Sequence, residues 1–229
     1  MPIDEIEKHP FLQLQENSQG FLHSAINIVI IGTFPIYSIT SSIPLEKKGD
    51  ELRDKWNGKA NFQYFYGSKE NHFWRILSST FKKPFPKTSG EAINLLTENG
   101  IFISDVFKTV VRNDYSPLDK DLRIKEINTE LTQKIGRFPN LHKIIFTSRL
   151  AKSTFCNIVG ISNTGGVQNT QLYGNNIVLY SLPTPSGNGR SVSHYFNDFP
   201  PIKEELANKK AELPYAINYR MRLYNEILK

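Results

Sequence analysis

Four short runs of this chain are apolar without alternating: Ile26–Ile31, Ile101–Val106, His142–Thr147 and Asn176–Leu182. Runs dense in Ile, Val, Leu and Phe predict strands covered on both faces, as in a parallel sheet. Helical spacing fills the intervals. Phe73-Trp74-Arg75-Ile76-Leu77 opens one helix, and Ser89–Glu98 is a second, with Gly100 suited to its C-terminal cap. Ile127–Ile135 and Ser148–Ile158 follow, the latter with Ser148 as N-cap. Pro201–Glu212 and Tyr215–Leu228 are amphipathic. Alternating β and α elements predict an α/β fold, a three-layer α/β/α sandwich around a central four-stranded parallel sheet. The chain is expected to be a single domain over residues 1–229, with residues from about 196 to 229 as a helical extension packed on it. The polar stretches near 37–60 and 160–175 are expected as long loops.

Unusual residues follow each strand. Gly32-Thr33-Phe34-Pro35 comes after the first, Phe107-Lys108 after the second, Thr147-Ser148-Arg149 after the third, and Pro183-Thr184-Pro185-Ser186 after the fourth. The fourth set runs on into Gly187-Asn188-Gly189-Arg190. Small residues and prolines shape rigid loops in which backbone amides can approach a ligand. Open α/β sheets bind ligands beyond the carboxyl ends of their strands. The first and fourth loops are therefore expected to wall one pocket.

Composition narrows the class. At 229 residues, with 39% hydrophobic and 22% charged, this is an ordinary globular chain with enough length for a proper core. The acidic N-terminus is not expected to act as a signal peptide, and no run reaches the ~20 apolar residues of a membrane span. A single Cys156 excludes an internal disulfide and a four-thiolate metal centre. The five histidines are scattered without metal-ligand spacing, so no metal is expected, and without a Walker-type or Rossmann glycine fingerprint no nucleotide or other organic cofactor is expected either. A reducing, cytoplasmic setting and a monomer are the default expectations.

Charge adds a partner. From Leu131 to Asn197 there is no Asp or Glu, while Lys134, Arg137, Lys143, Arg149, Lys152 and Arg190 lie in that stretch. The other 22 Lys and Arg are matched by 22 acids, so the whole excess of +6 sits there. Such asymmetry fits a polyanion partner. The competing explanation is chance depletion of acids in a partly buried segment.

The most specific segment is Tyr64-Phe65-Tyr66-Gly67-Ser68-Lys69-Glu70-Asn71-His72-Phe73-Trp74. Together with Gly32–Pro35, Gly100–Val106 and the Leu182–Arg190 loop, its order and spacing resemble the uracil-DNA glycosylase superfamily. The nearest branches are the mismatch-specific enzymes and the hypoxanthine-DNA (deoxyinosine) glycosylases. The resemblance spans roughly residues 9–195. It implies hydrolysis of the N-glycosidic bond of a deaminated base, uracil or hypoxanthine, in DNA. It places Gly32, Thr33, Phe34, Pro35, Phe65, Tyr66 and Thr184 around the base, and Pro185, Ser186, Gly187, Asn188 and Arg190 on the DNA. Arg149 and Lys152 join the DNA-facing set by their charge.

The chain departs from the family at two positions. Phe34 stands where better-known members carry a water-activating Asp or Asn, and Thr184 replaces a His donor to the base. The resemblance makes Asn71 the replacement candidate for catalysis, because the hypoxanthine-type branch is similar in that segment and also lacks the first-motif carboxylate; an Asn amide can hold a water and donate to the base. Its competing role is a helix cap before Phe73. Phe34, Phe65 and Tyr66 serve either as core or as stacking surfaces. Asp105, closing the second strand, is expected to orient a loop or pair with Lys108 rather than act as a base. The alternative for the whole chain is a non-catalytic module that binds a damaged base or nucleic acid.

Overall fold

The structure is a computed structural model that describes residues 6–36, 62–68, 71–112, 118–186, 192–207 and 212–229, the side chains of 212–214 excepted. The described residues form two sheets. In chain order the strands are β1 Ile6–Lys8, β2 Ile28–Gly32, β3 Ile101–Asp105, β4 Phe107–Arg112, β5 Leu122–Ile127, β6 Lys143–Phe146, β7 Val167–Leu172 and β8 Asn175–Ser181. The α-helices are α1 Phe73–Phe81, α2 Ser89–Glu98, α3 Glu130–Ile135, α4 Arg149–Val159, α5 Lys203–Ala207 and α6 Glu212–Leu228.

The main sheet has the order β3-β2-β6-β8-β7. Its first four strands run parallel, in the registers Ile28↔Ile101, Ile28↔Lys143 and Lys143↔Val178. These are the four apolar runs. The sheet is nevertheless five-stranded and mixed, because β7 pairs antiparallel with β8. That strand lies within the stretch expected as a loop. Its sequence, Val-Gln-Asn-Thr-Gln-Leu, is polar and partly exposed, as an edge strand permits. Tyr173 and Gly174 join the two strands with φ of 54° and 81°, the left-handed pair that a tight two-residue hairpin requires.

At the other edge, β3 has no further strand beside it among the described residues. The Gln15 side chain takes that place, donating to the Ile101 carbonyl at 2.6 Å and accepting from the Ile103 amide at 3.0 Å. A second small sheet, β1-β4-β5, is antiparallel throughout. Phe107 and Lys108 thus open a strand instead of a loop. Lys108 pairs with Glu126 and Glu130, not with Asp105.

Both faces of the main sheet are covered. On one, Ile28, Ile30, Ile101, Ile103 and Ile145 pack with α1, α2 and the end of α6. On the other, Val29, Ile31, Phe102, Ile144 and Phe146 pack with α3, α4 and β4. Alternate residues of each strand serve opposite cores, which explains why the runs show no polar alternation. Within α6, Tyr224, Ile227 and Leu228 belong to the first core, so this C-terminal helix is built into the same body as the sheet.

Candidate active site

The carboxyl ends of β2, β3, β6 and β8 converge on one cavity of about 450 Å³. Thr33, Phe34, Pro35, Phe65, Tyr66, Ser68, Asn71, Thr184 and Ser186 line it, with Asp105, Asp119, Thr147, Arg149, His194 and Tyr195. The first-strand loop and the fourth-strand loop therefore do wall a common pocket. The aromatic segment closes it between them. Asn71 and Ser186 form an isolated antiparallel bridge, and the His72 amide donates to the Pro185 carbonyl at 3.0 Å.

Each wall is fixed by buried polar contacts. Arg112, fully buried, makes a two-pronged ion pair with Glu7 at 3.0 and 3.2 Å and also donates to the Pro35 carbonyl at 2.8 Å. The small antiparallel sheet thereby holds the first loop. Trp74 of α1 donates its indole N–H to the Phe65 carbonyl at 2.8 Å, which fixes the aromatic segment on the helix. Under the fourth loop, Arg220 and Tyr224 of α6 donate to the carbonyls of Ser186 and Pro183 at 3.0 and 3.2 Å. The C-terminal helix supports the site from below.

The aromatic residues of the site differ in burial. Phe65 is almost wholly buried against His9, Phe11 and Tyr64. Phe34 sits edge-on to His9 with the ring centres 5.4 Å apart. Tyr66 is half-buried, stacks on Phe73 with centres 4.5 Å apart, and shares a hydrogen bond with Thr147 Oγ1 at 2.8 Å. Burial, then the neighbouring Asp105 charge, pushes its phenol well above the ordinary range, so it stays protonated.

Asn71 sits one residue before His72, the N-cap of α1, and its Oδ1 accepts from the Phe73 amide at 2.9 Å. That bond orients the amide, and its N–H groups have no hydrogen-bond partner among the described residues. Asn71 thus has an anchored oxygen and an amide nitrogen without a protein partner among the described residues.

Two carboxylates in the wall were not foreseen as a pair. Asp119 accepts from the Thr33 hydroxyl at 2.7 Å. Burial raises its pKa against the opposing hydrogen bonds of Thr33 and Ser148. Asp105, 3% exposed, meets His9 Nε2 at 2.9 Å through Oδ2, while its buried Oδ1 has no partner among the described residues. The sequence signal was an acid at the end of an otherwise apolar strand; its partner lies 96 positions away.

Of the basic residues, Arg149 is exposed at the rim, over the Tyr195 ring at 5.3 Å and bonded to the His194 carbonyl. Lys152 is only 2% exposed, and its ammonium donates to the carbonyls of Thr164 and Gly165. It ties down the segment before β7 rather than facing solvent. Gly187, Asn188 and Arg190 lie outside the described residues. No helix among the described residues is long and apolar enough to cross a membrane.

No protein-family model and no curated protein sequence matches the chain. Among solved structures, one described as a "putative Uracil DNA glycosylase from Methanosarcina acetivorans" is similar at 19% identity. The match covers 94% of this chain and 98% of that one, with a TM-score of 0.43. A likeness of that level leaves the chemistry to be argued from the site itself.

Proposed function

We propose that the protein is a monofunctional DNA glycosylase that hydrolyses the N-glycosidic bond of a deaminated base, uracil or hypoxanthine. The observation that carries this reading is the convergence of Thr33–Pro35, Phe65, Tyr66, Ser68, Asn71, Thr184 and Ser186 on one cavity. These residues lie in segments on which the family resemblance rests. The cavity has aromatic walls, donors and acceptors at its floor, and a volume in the range of small-molecule sites.

The chemistry matches those parts. Breaking the bond leaves positive charge on the sugar and negative charge on the departing base. A base rotated out of the duplex, at a cost of a few kcal/mol, is held by stacking and by hydrogen bonds to its edge. The Asn71 amide and the Tyr66 phenol are neutral donors for the charge that develops on the base. The bridge between Asn71 and Ser186 ties the two walls together. Arg149 at the rim, with the acid-free segment behind it, suits the phosphate backbone.

Phe34 favours a second reading, since it can neither hold nor activate water: a binding module that retains the pocket without turnover. Labelled oligonucleotides carrying one uracil or one hypoxanthine separate the two. Alkali-sensitive sites formed in the presence of EDTA support the glycosylase. Specific binding without such sites supports the module.

A further inference from the structure

A histidine and an aspartate meet in the pocket wall, and their protonation can be read from their bonds. His9 Nδ1 faces the Phe11 amide at 3.1 Å, and an amide N–H can only donate. Nδ1 is therefore an acceptor, and the ring proton sits on Nε2, which donates to Asp105 Oδ2 at 2.9 Å. The imidazole side chain is fully buried and boxed by Phe11, Phe34 and Phe65. Such a box leaves it no second orientation. One carboxylate oxygen of Asp105 is thus fixed by a locked donor.

The other oxygen is free. Asp105 Oδ1 is buried, has no hydrogen-bond partner among the described residues, and lies beside the Tyr66 hydroxyl over Gly32. A Cβ on Gly32 would come within 2.3 Å of both atoms, so the glycine is what lets the two groups share that space. A buried carboxylate oxygen without a partner is costly for folding alone, and such an atom is accounted for by a ligand or a reaction. Asp119, the other acid of the cavity, differs: Thr33 occupies one of its oxygens, and burial raises its pKa.

We propose that Asp105, positioned by His9, is a catalytic residue that does the work Phe34 cannot. It faces the sugar of the flipped nucleotide, offsets the positive charge developing there, and accepts a proton from the attacking water. This rests on the glycosylase reading. The C1′–N bond breaks with its electron pair leaving on the base. The water oxygen then bonds to C1′, one of its protons passes to Asp105 Oδ1, and that proton leaves with the base or to solvent. His9 keeps its own proton throughout and acts by orienting the carboxylate. An acceptor of this kind contributes ~10²–10⁴-fold to rate.

The test uses the intact protein and two duplexes with stable abasic analogues, a cationic pyrrolidine and a neutral tetrahydrofuran, beside single-turnover cleavage of uracil and hypoxanthine duplexes. The parent should bind the pyrrolidine duplex ~10-fold or more tightly than the tetrahydrofuran duplex. Asp105→Asn should abolish that preference and slow cleavage ~10²-fold or more, with tetrahydrofuran binding unchanged. His9→Gln should move both readouts in the same direction by less, which a merely structural role would not do. A parent without the preference overturns the proposal, and needs no variant to fold. If the parent cleaves and Asp105→Asn cleaves as fast, Asp105 is not catalytic while the glycosylase reading stands. If the parent releases no base from either duplex, the glycosylase reading fails and the catalytic assignment falls with it.

Discussion

Adding one methyl group at Gly32 tests how tightly the site is assembled. A Cβ there lies 2.3 Å from Asp105 Oδ1 and from the Tyr66 hydroxyl, and 3.3 Å from Tyr66 Cζ. Ordinary contact begins near 3.4 Å, so both groups must retreat by about 1 Å, the scale at which overpacking becomes destabilising. Neither is free to move. Asp105 is bonded to His9 at 2.9 Å and Tyr66 to Thr147 at 2.8 Å. Overpacking of this kind costs about 1–3 kcal/mol, partly offset by the ~0.5–1 kcal/mol gained on replacing a strand glycine with alanine. The expected net destabilisation of Gly32→Ala is about 0–2.5 kcal/mol. Its effect on single-turnover cleavage should be larger, ~10²-fold, because a 1 Å misplacement of reacting groups has that consequence. Gly90→Ala is the control: it lies in α2, and the nearest atom to its added Cβ would be Thr88 Oγ1 at 3.9 Å, so stability should hold or rise by up to ~1 kcal/mol. Chemical denaturation and cleavage kinetics on both variants decide the matter. A Gly32→Ala protein with parental stability and parental rate would refute the close packing of Asp105 against Tyr66.

Asn71→Asp keeps the acceptor for the Phe73 amide and removes the amide donors, so it should melt near the parent and lose ~10²-fold in single-turnover rate; a parental rate would reduce Asn71 to holding the Phe73 amide. Tyr224→Phe removes the donor to the Pro183 carbonyl and should cost about 0.5–1.5 kcal/mol, with faster amide exchange in the 182–186 loop as the check on α6 as its support. Asp119 has a pKa raised above 3.8 by burial, so its ionisation works against folding once pH rises past that value. Asp119→Asn, which can still accept from Thr33, should therefore raise Tm at pH 7, and the gain should vanish near pH 3.5; a constant difference across that window would contradict the burial argument.

The four parallel strands were legible because each serves two cores at once, and nothing polar interrupts Ile28–Ile31 or Ile144–Phe146. Ser148 as the N-cap of α4 was equally plain, its hydroxyl accepting from the Ala151 amide at 3.0 Å. The edge strand β7 was not, since an edge exposed to water admits Gln, Asn and Thr, and its sequence reads as loop. The β1-β4-β5 sheet escaped for a related reason: β1 has three residues, and β5 is largely exposed. In the site, the motif segments were visible as local patterns. The His9–Asp105 pair was not, because hydrogen bonding across 96 positions leaves no local trace. Lys152 shows the opposite error. A lysine in an acid-free stretch reads as a DNA contact, yet it projects from α4 beside Ala151, Phe155 and Cys156 and spends its donors on two carbonyls.

As a monofunctional glycosylase site, this cavity is expected to release a base and leave the strand whole. Mass spectrometry of a single-turnover reaction in EDTA measures both products together. The prediction is free uracil or hypoxanthine in proportion to enzyme, with a full-length strand carrying one abasic site. An unchanged strand with no free base, or a strand broken without alkali, would contradict it.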